Sequence, residues 1–135
     1  MDMVLLDRLK HDYPEVRFVR GKKFLFRPPQ TIILGPDEDT SSLLTLHELG
    51  HYLCGHRDFT TDARRVKMER EAWTKARGLC TKYGVFYDVE VVESELNTYR
   101  DWLDKKSRCP ACGLTRFQTP DGHYHCPRCD RFKLP

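Results

Sequence analysis

Two histidines bracket a glutamate in the stretch HELGH, at His47, Glu48 and His51. Residues four apart on a helix share a face, so the two imidazoles can reach one ion. Glu48 follows His47 directly and points beside that ion rather than at it. A base is wanted there if the ion carries a water to be deprotonated. Zinc suits such a set, because it lowers the pKa of a bound water toward about 7 and so prepares it to attack a peptide carbonyl. Five-residue patterns of this kind also arise by chance, so the surroundings matter. Here the flanks are apolar, the inner residues Leu49 and Gly50 suit close packing, and strand-like sequence precedes the motif.

A catalytic zinc needs a third protein ligand and an open position. His56 is nearest, five residues after His51 and just beyond Gly55. That is one residue short of the spacing at which metzincin proteases place a third histidine. Glu69, in KMEREAWTKA, lies 18 residues after His51, enough for a loop and a returning helix. Glu69 is the favoured ligand, with Glu71 and His56 as alternatives. Glu71 falls about 200° round the helix from Glu69, so one face cannot present both. Without the neighbouring HELGH, both glutamates would read as solvated charges pairing with Arg65, Arg70 or Lys75. Peptide hydrolysis also needs a donor for the oxyanion. His56, Tyr83, Tyr87 and Tyr99 are candidates, although packing is the commoner role of such side chains.

The second constellation is CPAC followed by CPRC, with 13 residues between Cys112 and Cys126. Each CxxC can form a tight turn whose amides point at the sulfurs, and two turns close a four-thiolate site on Cys109, Cys112, Cys126 and Cys129. Asp121-Gly122 marks a hairpin turn between them. His123 and His125 are less favoured ligands, since four cysteines already complete the set. This segment reads as a zinc ribbon whose structural zinc supplies much of its stability. Arg108, Arg116, Arg128, Arg131 and Lys133, with Phe117, Tyr124 and Phe132, give it a surface that could contact nucleic acid or a protein.

HELGH followed by Glu69-Arg70-Glu71-Ala72 resembles the ImmA/IrrE-type metallopeptidases over roughly residues 30 to 80. These follow the glutamate-ligand, or gluzincin, plan. The resemblance implies zinc on His47, His51 and Glu69 with Glu48 as catalytic base, and an intracellular regulator or repressor as substrate. Trp73 stands where that family usually has Asn or Asp, and Lys75 where it has Phe, while Ala76 is kept. A polar partner for a ligand histidine must then come from elsewhere, and Asp62 is the candidate.

These residues need elements to hold them. Val4, Leu5, Leu6 and Leu9 suit a short amphipathic helix. Val16, Phe18, Phe24, Phe26, Ile32 and Ile33 mark two or three short antiparallel strands, punctuated by Gly21 and Pro28-Pro29. A helix over 42–54 carries HELGH, capped by Thr40, Ser41 or Ser42 and ended by Gly55. Further helices are expected over 62–79 and 88–106, the latter presenting Val92, Leu96, Tyr99 and Leu103. Thr31 to Leu34 is the expected substrate-binding sheet edge. Cys54 and Cys80 read as small buried residues.

The expected architecture is α+β: a zincin-like domain over 1–107 and a zinc ribbon over 108–135. The chain has 135 residues, 39% hydrophobic and 32% charged, with a formal net charge of +3. That charge is too small to argue for nucleic-acid binding by itself. No apolar run approaches the roughly 20 residues of a membrane span, and the start lacks the pattern of a signal peptide. The expectation is a cytoplasmic zinc metallopeptidase with one catalytic and one structural zinc, acting on a protein or peptide. The competing reading is a non-catalytic adaptor or nucleic-acid binder that acts through its ribbon.

Overall fold

The computed structural model describes residues 2–130 and has four helices, a three-stranded sheet and a two-stranded hairpin. Arg131, Phe132 and Lys133, expected on the ribbon surface, lie outside the described residues. Helix α1 (Met3–Asp12) starts where the Asp2 side chain accepts from the Val4 amide, and it buries Leu5, Leu6 and Leu9. Strands β1 (Arg17–Arg20), β2 (Leu25–Arg27) and β3 (Thr31–Leu34) follow.

The sheet is mixed rather than antiparallel. Its order is β1-β3-β2, with β1 parallel and β2 antiparallel to β3. The physical reason lies in the strands themselves. TIIL buries Ile32 and Leu34 almost completely, whereas RFVR and LFR carry arginines suited to edges. The strand expected to offer a free edge is therefore the central one, paired on both sides. The outer edges are those of β1 and β2, and β2 is the one that borders the cleft described below.

Helix α2 (Ser41–Leu53) lies against this sheet and carries HELGH at its centre. Leu43, Leu46 and Leu49 are buried beneath it. The Ser41 hydroxyl accepts from the Glu38 amide ahead of the helix, and Gly55, at φ 69°, turns the chain out after it. Helix α3 (Asp62–Tyr83) runs one turn further than the sequence suggests and ends at Gly84, whose φ of 68° favours glycine. Helix α3 packs on α2 at an unusually close crossing. A Cβ placed on Gly50 would lie 2.5 Å from the Ala72 carbonyl oxygen. Glycine inside HELGH thus lets the two helix backbones touch.

Helix α4 (Val89–Ser107) packs on α3, burying Val92 and Leu96, with Asp88 accepting at its N-cap. Strands β4 (Phe117–Gln118) and β5 (Tyr124–His125) form the C-terminal hairpin. Cys80 is buried as expected, but Cys54 is exposed, because it caps α2 beyond the packed face. No helix among the described residues is long and apolar enough to cross a membrane.

Candidate metal centre

The α2–α3 crossing brings Glu69 to the histidines. Its Oε2 lies 2.9 Å from His47 Nε2, and its Oε1 lies 3.2 Å from His51 Nε2. Both imidazoles and Glu48 are buried, and one ligand atom from each of His47, Glu48 and His51 falls within 4.8 Å of the others. For bonds of about 2.05 Å, a tetrahedral site has donor–donor edges of about 3.3 Å. The observed separations are close to that.

The hydrogen-bond network has room for a cation here. His56 is buried, with Nε2 3.2 Å from Glu71 Oε1 and Nδ1 2.9 Å from His51 Nδ1. Burial lowers the His56 pKa and keeps that ring neutral. The Glu71 carboxylate can only accept, so the His56 proton sits on Nε2. His56 Nδ1 is then bare and accepts from His51 Nδ1–H. His51 Nε2, the other ring nitrogen, faces a carboxylate oxygen at 3.2 Å. That contact calls for positive charge between the two atoms, supplied either by a proton on Nε2 or by a metal ion. Donor chemistry and spacing both fit a divalent metal.

The alternative third ligands are thereby placed. Glu71 serves His56 and Arg64, its Oε1 lying 3.1 Å from Arg64 Nη1. His56 borders the cleft too, but both its ring nitrogens are engaged, Nδ1 with His51 and Nε2 with Glu71. Asp62, the expected stand-in for a polar partner, is directed elsewhere. Its carboxylate accepts from the Tyr124 hydroxyl at 2.7 Å and pairs with Lys106 at 2.9 Å. The reason is its place at the start of α3, where the C-terminal hairpin docks. His47 has no such partner: Trp73 stacks on it at 4.0 Å, and both His47 Nδ1 and Trp73 Nε1 are buried without a hydrogen bond.

Burial raises the Glu48 pKa, against the pull of His47 and His51. For Glu69 burial also works upward, but the hydrogen bonds and charges of both histidines outweigh it and hold the carboxyl well below its usual range. The set opens into a cleft of about 570 Å³, bordered by the edge strand β2 and by α3 and α4. Phe26 of β2 stacks in parallel with His51 at 6.2 Å. Tyr99 lines the cleft with its hydroxyl toward Glu69; burial and then the Glu69 charge push its pKa up to about 12, so the hydroxyl stays a donor. The other tyrosine candidates point elsewhere: Tyr83 donates to Asp12, and Tyr87 to the Trp73 carbonyl. Arg65 also lines this cleft. Its only signal in the sequence is its place one turn before Glu69.

The four cysteines of the C-terminal segment gather their sulfurs within 4.8 Å of one another, an arrangement that can hold a metal ion. Backbone amides of Cys112 and Ala111 point at Cys109 and lower its thiol pKa to about 7. The Cys129 amide donates to Cys126 Sγ at 3.3 Å. His123 is exposed and His125 faces Asp130, so neither joins the set. The hairpin is fastened to the helices: Gln118 Oε1 accepts from the Asp62 amide, and Arg116 donates to the Lys106 carbonyl.

No family model, curated protein or solved structure matches this chain.

Proposed function

We propose that the chain is a zinc-dependent peptidase of gluzincin plan, similar to the ImmA/IrrE type, acting on an intracellular protein such as a regulator. The observation that carries this is the meeting of the two His Nε2 atoms with both oxygens of Glu69, beside Glu48 at the floor of an open cleft. His47, His51 and Glu69 would hold the ion, which when bound supplies Lewis acidity and lowers the pKa of water toward about 7.

The protein's own groups do the rest. Glu48, its basicity raised by burial, takes a proton at its carboxylate. Tyr99 donates its hydroxyl to the oxyanion that develops on the scissile carbonyl. The unpaired edge of β2 offers backbone hydrogen bonds to an extended peptide, so that the substrate adds a strand. The second metal is a structural zinc on Cys109, Cys112, Cys126 and Cys129. The adaptor reading is weakened because Tyr124 and Arg116, two of its contact residues, are turned inward to Asp62 and the end of α4.

Glu48→Gln tests the role of the base. The variant retains zinc at His47 and His51, and hydrolysis of casein or of a candidate repressor falls at least about 100-fold, the lower range for general-base loss. Undiminished hydrolysis by a zinc-loaded Glu48→Gln protein would sink the reading.

A further inference from the structure

Arg65 lies one turn before Glu69 on the same face of α3 and lines the same cleft. Its guanidinium sits over three rings, 5.5 Å from Phe59, 5.4 Å from Tyr99 and 4.9 Å from Trp102. Rings hold the plane of a guanidinium but do not satisfy its five N–H donors. Among the described residues no carboxylate lies within ion-pair distance of it. Asp62, the acid nearest along its helix, is taken by Lys106 and Tyr124. Asp58 and Glu95 also line the cleft, exposed and unpaired with it. Its neighbour Arg64 shows the contrast, being spent on Glu71.

A clamped guanidinium with unspent donors, beside a candidate metal site, is built to receive an anion. We propose that Arg65 is a carboxylate receptor, and that the peptides handled here carry a carboxylate near the bond at the metal. The planar fork matches a carboxylate in bidentate fashion, and the surrounding rings reduce competition from water. Four residues of helix rise about 6 Å and an extended peptide advances about 3.3 Å per residue. The carboxylate therefore lies about two residues from the scissile bond. It belongs either to an Asp or Glu side chain or to the peptide's own C-terminus. The proposal rests on the peptidase reading for the nature of the ligand.

The test uses the full-length, zinc-loaded Glu48→Gln protein, so that no peptide is consumed. Fluorescent hexapeptide pools are compared in matched pairs: Glu against Gln at one fixed position, and a free C-terminal acid against its amide. Fluorescence anisotropy is expected to show the acid member of one pair binding roughly 10-fold tighter or more, as befits a charged bidentate contact. The side-chain pair identifies an internal acidic residue; the terminal pair identifies a chain end. In the added Arg65→Gln variant the preference falls to about one. If that variant does not fold, Arg65→Lys carries the test, since it keeps the charge but loses the fork, and the preference must still fall. Equal binding of acid and neutral members, no binding of any acid, or a preference that survives substitution in folded protein overturns the proposal. Acid-selective binding without hydrolysis by the unsubstituted protein would instead sink the peptidase reading and leave the receptor standing. Hydrolysis with no acid preference does the reverse.

Discussion

Gly50→Ala separates the packing of the centre from its chemistry. The new methyl would lie 2.5 Å from the Ala72 carbonyl oxygen, 3.2 Å from its carbon and 3.4 Å from its Cα, all backbone atoms of α3. A carbon-to-oxygen contact needs about 3.3 Å, so the helices must part by about 0.8 Å. Glu69 is three residues before Ala72 and moves with that backbone. Metal–ligand distances tolerate only about 0.2 Å, so the flexible glutamate would have to make up most of the difference. Stability is the poorer readout. Alanine gains about 1 kcal/mol in helix propensity over glycine, which masks part of the overpacking cost of about 1–3 kcal/mol. Metal affinity is the sharper readout. The expected outcome is a zinc affinity at His47 and His51 reduced roughly 10- to 100-fold, the range for perturbed ligand support. Chelator competition on the full chain reads this directly, with the four-thiolate zinc as internal reference. Unchanged affinity at both sites in folded Gly50→Ala protein would refute the claim that the Gly50–Ala72 contact sets the position of Glu69.

Three further outcomes are expected. His56→Leu leaves His51 Nδ1–H without its acceptor, and zinc affinity at that centre falls roughly 10- to 100-fold in the same chelator assay; no change would mean that His56 is mere packing. Tyr99→Phe keeps the ring over Arg65 but removes the donor, so kcat falls about 100-fold or more with KM little altered; a pure KM effect would argue against the oxyanion role. The Tyr83 hydroxyl, followed by smaller contributions including Lys82, holds the Asp12 carboxyl below its ordinary value. A depressed carboxylate contributes stability above its unfolded pKa of about 3.9 and loses it as pH falls through the folded value. The melting-temperature gap between the natural chain and Asp12→Asn is thus expected to be small at pH 7 and to close below about pH 4; a constant gap would contradict this.

What the sequence determined is what short-range geometry decides. His47 and His51 share a face because helical periodicity puts them there, and the apolar stripe of Leu43, Leu46 and Leu49 makes that stretch a helix. The CxxC turns are equally local, and four sulfurs converge from a single hairpin. Gly55 and Gly84 end their helices because their positive φ needs no more than the residue itself. Sequence also showed that Glu69 and Glu71 cannot both face one ion, though not which of them would.

Which glutamate meets the two histidines was decided by the tertiary structure, because it depends on how α3 rolls against α2. The touch of Gly50 on Ala72 turns Glu69 inward and leaves Glu71 to His56. The same packing made β3 central and put β2 at the edge beside the cleft, which no alternation of apolar residues could reveal. It took Asp62 away to the hairpin, placed Tyr99 in the wall of the cleft, and set Arg65 among three rings. Each of these depends on residues far apart in the chain. Local propensity specifies which elements form, but the partner of a side chain across an interface is set only when whole helices and strands have packed.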